Sequence, residues 1–157
     1  MAVLVVRHVP GMDDAHSSTD TPFKTTRTGR CNCGAVRFEA ECDTRTGNRC
    51  NCSICTRLGV LTGTLKPADV RVLAGEENLT GWKVPIGTRY FCKTCGIQCF
   101  ARGYLKEIGG DYATVNYLTL DGFDPSGTRV LHWDGRHDNW KAGTREEPWP
   151  LIATLAG

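Results

Sequence analysis

Three cysteines fall within six residues, Cys50-Asn51-Cys52-Ser53-Ile54-Cys55, and no other feature constrains this chain as strongly. Thiolates are soft anionic ligands that hold zinc at about 2.3 Å, so three sulfurs this close can converge on one ion and leave its fourth tetrahedral position open. Two half-sites flank them. Cys31 and Cys33, two residues apart, point to one side of an extended chain, with Gly34 for the turn that follows. Cys92-Lys93-Thr94-Cys95-Gly96 has the zinc-knuckle spacing, in which a turn presents two sulfurs to one ion and backbone N–H groups can hydrogen-bond them. Joined, the two pairs make a closed four-cysteine structural site, because the entropy of closing the long intervening loop grows only logarithmically with its length. The rival readings of these pairs are a redox Cys-x-x-Cys, disulfides, or iron in the same four sulfurs.

Location separates metal from disulfide. The apolar run at residues 2–6 ends at Arg7 and is too short for the apolar core of a signal peptide, and no apolar stretch approaches the roughly 20 residues that span a bilayer. The expectation is therefore a cytoplasmic protein with no membrane association, where clustered thiols stay reduced and bind metal. The odd total of nine cysteines also argues against a fully paired disulfide framework. A net charge of +2, without a basic stripe interleaved with aromatic residues, argues against nucleic acid as a partner.

At 157 residues the chain suits one domain, and its 18 glycines suggest short strands and tight turns. Residues 1–28 are polar and aperiodic and read as a flexible leader, within which Met12 is an alternative start to Met1; residues 29–157 read as a single zinc-binding domain. Residues 35–42 alternate, with Val36, Phe38, Ala40 and Cys42 on one face, which predicts a half-buried strand and makes Cys42 a core thiol. Residues 43–49 read as a turn that leads into the three cysteines, themselves on a loop. Short strands follow at residues 60–65 and around Val70 and Val72, then an irregular loop at residues 75–87. Residues 112–120 form the longest β-favouring run and predict a central strand. Cys99 is either a buried thiol or the fourth ligand of the three-cysteine site. The tail from His132 and Trp133 through Asp134-Gly135 to Trp140 reads equally as a binding-site wall or as a surface turn, and residues 149–152 as a segment packing the chain end down.

Together these pieces resemble the glutathione-dependent formaldehyde-activating enzyme family, which includes the centromere-protein-V-type domains. The resemblance covers residues 29–152 and rests on Gly29-x-Cys31-x-Cys33-Gly34-x-Val36-x-Phe38, Cys50-x-Cys52-Ser53-x-Cys55 and Phe91-Cys92-x-x-Cys95-Gly96. It implies a mainly β fold, a β-tent of antiparallel sheets with short helices at most, pinned by a structural zinc on Cys31, Cys33, Cys92 and Cys95. A second, catalytic zinc would be held by Cys50, Cys52 and Cys55, making two Zn2+ per chain. The chain departs from the family pattern at Asn51, where His is frequent, and at Thr56, where Arg directly follows the third cysteine.

The function expected is that of a carbon–sulfur lyase joining glutathione reversibly to formaldehyde to give S-hydroxymethylglutathione. Three thiolates around zinc leave a position where a substrate thiol would be deprotonated and held. Arg49 and Arg57 flank the ligands and suit glutathione's carboxylates, since a guanidinium matches a carboxylate in two-pronged fashion; His132 and Trp133 are further substrate-contact candidates. The alternative is a non-catalytic zinc module that binds a peptide or nucleic acid, its second site closed by Cys99 or His132.

Overall fold

The computed structural model describes residues 23–152. The leader's first 22 residues, Met12 among them, lie outside the described residues. Strand pairing starts with β1 (Thr25–Arg30), ahead of the boundary expected at Gly29. The strands that follow are β2 (Arg37–Cys42), β3 (Thr46–Cys50), β4 (Thr62–Leu65), β5 (Val70–Ala74), β6 (Leu79–Val84), β7 (Gly87–Cys92), β8 (Gln98–Leu105), β9 (Gly110–Asn116) and β10 (Arg129–Trp133). One α-helix, α1 (Ser53–Leu58), interrupts them.

These strands make two sheets: three strands in the order β1-β2-β5, and seven in the order β10-β3-β4-β9-β8-β7-β6. All pairings are antiparallel except β10 with β3, which run parallel. This is the mainly β, two-sheet tent that the resemblance implies. The predicted central strand is there, with β9 fourth of the seven, but it ends at Asn116 and residues 117–119 turn into a 3-10 segment where the Asn116 side chain accepts the N–H of Leu118.

The core lies between the sheets. On β2 the alternation is as read: Phe38, Ala40 and Cys42 are each fully buried while Glu41 is exposed. Phe38 meets Phe100 of β8 edge-on at 6.0 Å between centroids, and Tyr90 of β7 stacks on Phe100 at 5.0 Å. Because side chains alternate along a strand, the neighbours of these residues emerge on the opposite face of the seven-stranded sheet. There Arg89 pairs across from Ala101, and Ala101 across from Thr114, while Phe100 and Val115 pair on the core side.

Three sequence expectations change. Residues 75–87, read as an irregular loop, form most of the β6–β7 hairpin, with Val84 and Gly87 paired around Pro85 and Ile86; the two-residue turn leaves no free loop. Residues 43–49, read as a turn, carry β3, whose polar residues are tolerated because it sits near the sheet margin beside β10. Residues 149–152 are only partly packed: Trp149 donates its indole N–H to the His132 carbonyl at 3.0 Å, but Leu151 and Ile152 are exposed.

Candidate metal and thiol-binding site

The two cysteine half-sites are the hairpin turns of different sheets. Cys31 and Cys33 do not lie on extended chain as expected. They sit in the β1–β2 turn, where the Gly34 N–H bonds the Cys31 carbonyl at 3.1 Å and Gly34 takes a φ of +78°, open to glycine without strain. The β7–β8 turn repeats the device: the Gly96 N–H bonds the Cys92 carbonyl at 2.9 Å, and Gly96 has a φ of +73°. The tent brings the turns together, so that the ligand atoms of Cys31, Cys33, Cys92 and Cys95 all lie within 4.8 Å of one another. Sγ atoms of Cys31 and Cys33 are 3.5 Å apart, and those of Cys33 and Cys92 3.6 Å. Zinc with 2.3 Å arms needs tetrahedral edges of about 3.8 Å, whereas a disulfide needs about 2.05 Å, so the spacing fits a metal. Hydrogen-bond donors already serve the sulfurs: Val36 N–H on Cys31 at 3.3 Å and the Asn78 amide on Cys92 at 3.2 Å. N–H groups of Ile97 and Cys33 hold the Cys95 thiol down to about 6.

The second cluster is Cys50, Cys52 and Cys55, again with ligand atoms within 4.8 Å of one another. Its cysteines are not on a loop. Cys50 ends β3; Cys52 is the N-cap of α1, its Sγ accepting the Cys55 N–H at 3.4 Å as a serine oxygen would; Cys55 lies in the first turn. The short helix is closed by Gly59 at a φ of +64°, whose N–H bonds the Cys55 carbonyl. Neither Cys99 nor His132 joins the cluster. Cys99 is fully buried, with its thiol pushed up to about 12 by burial and by the nearby thiols of the four-cysteine set. Crowding divides the three thiols: hydrogen bonds from Cys50 and Cys55 pull the Cys52 thiol far down, and the same contacts push Cys50 up. Three sulfurs held this close offer a ready bed for a cation, and an all-sulfur donor set suits zinc.

This cluster opens on a cavity of about 260 Å³. Its floor is the outer face of the seven-stranded sheet, with Arg89, Ala101, Tyr112, Thr114 and Thr64; Ile54 of α1, Pro85 and Ile86 of the β6–β7 turn, and Trp133 and Trp140 add walls. Cys50 and Cys55 also border a second cavity of about 330 Å³ beside Arg49, His132, Trp133 and Trp149. The sequence candidates therefore divide. Arg49 and His132 face the second cavity, Trp133 touches both, and Arg57 lines neither, its guanidinium donating to the Ser53 carbonyl of its own helix at 2.9 Å.

The tail is a wall rather than a plain surface turn. Parallel pairing sets Trp133 beside Cys50, and the chain then turns at buried Asp134. Asp134 Oδ1 accepts from Asn51 at 2.7 Å and meets His137 Nδ1 at 2.6 Å, and Oδ2 accepts from Asn139 at 3.3 Å. Burial pushes its carboxyl up, yet the bonds from Asn51, His137 and Asn139 win and hold it below the ordinary carboxylate range. Asn51 is accordingly a structural brace: its Oδ1 also accepts the Arg136 N–H at 2.9 Å.

Gly135 leaves no room for a side chain beside the cluster. A Cβ there would stand 2.6 Å from Cys50 Sγ and 2.6 Å from the Trp140 ring. Overpacking of this kind costs about 1–3 kcal/mol, roughly 5- to 150-fold in an equilibrium constant. Gly135→Ala is thus expected to weaken metal binding at the three-thiol cluster by that factor and spare the four-cysteine site; chelator competition, resolving two ions, checks it, and an unchanged weaker site would contradict the packing described.

Sequence reasoning missed Arg89 and Gln98, which carry no local motif; only strand pairing brings them to the cysteines. The family model described as glutathione-dependent formaldehyde-activating enzyme matches residues 26–133, more than half of the chain and all seven clustered cysteines. The chain belongs to this family. A crystal structure of a Rhodobacter sphaeroides protein is similar, at 35% identity and a TM-score of 0.55, over 62% of this chain and 91% of that one. Membership in the formaldehyde-activating family is consistent with a glutathione-linked function and with metal on the two clusters. Gly135 and Trp140, which line this cavity, lie beyond the segment matched to the formaldehyde-activating family. Among the described residues, no helix is long and apolar enough to cross a membrane.

Proposed function

We propose that this chain is a zinc-dependent carbon–sulfur lyase acting on thiol adducts, with glutathione and formaldehyde combining reversibly to S-hydroxymethylglutathione. The observation that carries it is the three-thiol cluster, without a fourth side-chain ligand among the described residues, at the edge of a cavity. In the synthetic direction the thiol sulfur bonds to the carbonyl carbon, the C=O π bond breaks, and the thiol proton ends on the former carbonyl oxygen. Zinc on Cys50, Cys52 and Cys55 would supply the positive charge that keeps an incoming thiol ionised at neutral pH. The residues of the chain do the rest. Arg49 and His132 line the second cavity beside Cys50 and Cys55 and suit a substrate carboxylate. The aliphatic and indole walls give the first cavity a largely apolar lining beside the cluster, which suits a small carbonyl. Cys31, Cys33, Cys92 and Cys95 would hold a structural zinc that pins the turns of the two sheets.

Metal analysis with zinc-edge absorption spectroscopy, with and without glutathione, tests this. The expected result is close to two zincs per chain and a fourth sulfur at one of them only when glutathione is present. A second site already saturated by protein atoms and indifferent to glutathione would replace the lyase by a non-catalytic zinc module.

A further inference from the structure

Arg89, on the cavity floor, has no role in the reaction as written above. Its Nη2 donates to Cys55 Sγ at 3.1 Å and its Nη1 to Gln98 Oε1 at 3.1 Å, while its Nε is buried without a partner. Gln98 is itself buried and is anchored through its backbone carbonyl, which accepts from the Asn116 amide at 3.0 Å. Among the described residues no carboxylate lies within ion-pair distance of Arg89, whereas Arg30, Arg71 and Arg129 each have one. A partly buried guanidinium is costly without a counter-charge, and among the described residues the group beside it able to carry negative charge is the thiol cluster, through Cys55.

The charges match. Three thiolates with one divalent cation carry one net negative charge, which a single guanidinium cancels. A further thiolate would raise that to two, and repulsion inside a partly buried site would oppose its entry unless a cation stood beside it. We propose that Arg89, aimed by Gln98, is a positioning residue that supplies this counter-charge: it holds Cys55 in its ligating orientation and lets the cluster accept an additional anionic sulfur. The proposal rests on the metal-site reading given above. Arg89 extends it by one residue outside the ligand set, where a hydrogen bond to a metal-bound sulfur tunes affinity.

Two variants test it, Arg89→Met, which keeps length and removes charge, and Arg89→Lys, which restores charge. In chelator competition Arg89→Met should bind its tighter zinc as the wild type does and its weaker zinc about 10- to 100-fold less well, the usual cost of losing such a partner. In cobalt-loaded protein the sulfur-to-metal charge-transfer bands should shift in Arg89→Met. Its glutathione titration should weaken at least tenfold, and Arg89→Lys should recover most of each loss. Unaltered weaker-site affinity and bands in Arg89→Met would overturn the proposal, as would a lysine variant no better than methionine, since packing rather than charge would then be at stake. If glutathione leaves wild-type spectra unmoved, the lyase reading falls, and the chelator competition still decides Arg89.

Discussion

Cys95→Ser is expected to leave a chain that does not hold its fold. The four sulfurs of Cys31, Cys33, Cys92 and Cys95 come from the β1–β2 turn of one sheet and the β7–β8 turn of the other, so a metal there ties the two sheets across the core. Structural zinc in such sets has an apparent binding free energy of about 10–16 kcal/mol, equal to or above the roughly 5–15 kcal/mol by which whole domains are stable. Replacing one thiolate by a hydroxyl removes a soft ligand and leaves Cys31 and Cys92, each about 1% exposed, as buried thiols crowded together. A loss of even 5 kcal/mol lowers the melting temperature by roughly 10–20 °C in a domain of this size. Thermal melting followed by circular dichroism, with zinc content measured in parallel, is the check. A melting temperature within a few degrees of wild type would remove the stapling role from this site.

Cys55→Ser should do the opposite: keep the fold and lose the chemistry. What Cys55 contributes to α1 is made by its backbone, whose N–H reaches Cys52 Sγ and whose carbonyl accepts from Gly59, and serine keeps both. Besides the neighbouring thiols Cys50 and Cys52, its sulfur takes a hydrogen bond from Arg89 at 3.1 Å. The stability cost is therefore that of one partly buried contact, about 1 kcal/mol or a few degrees of melting temperature. With two thiols remaining, the cluster falls short of a zinc site, so zinc content should drop from near two to near one per chain and the calorimetric signal for glutathione should vanish. Should Cys55→Ser collapse the protein as Cys95→Ser does, both clusters are structural and the lyase assignment is lost. Should it retain glutathione binding unchanged, the thiol enters elsewhere.

The parts legible in sequence are those with short-range causes. The alternation that buries Phe38, Ala40 and Cys42 follows from the two-residue period of a strand, and Cys-x-x-Cys-Gly marks its own turn because Gly96 must adopt a positive φ. Where side chains were ambiguous, reading failed. Residues 75–87 hold no strong alternation, yet pairing with β7 makes six of them the edge strand β6. The Cys50 to Cys55 stretch carries no helical period of its own; Cys52 Sγ caps a backbone N–H and so starts a six-residue helix that spacing alone does not announce. Arg57, four residues past the helix start at Ser53, spends its guanidinium on that helix, while Arg49 turns to the second cavity.

What the sequence determined by itself is the grouping of the sulfurs: two pairs with turn glycines and one set of three, and hence the resemblance, the mainly β fold and the capacity for metal. Coordination chemistry needs only ligand type and local spacing for that. What the tertiary structure alone decided is how the two pairs are brought together, as hairpin turns of different sheets, and what faces the three. Strand alternation sends Arg89 to the opposite sheet face from Tyr90, and the parallel pairing of β10 with β3 sets Trp133 and Gly135 against Cys50. Those neighbours are set by register between segments far apart in the chain, which is a property of the sheet and is encoded in no single stretch of it.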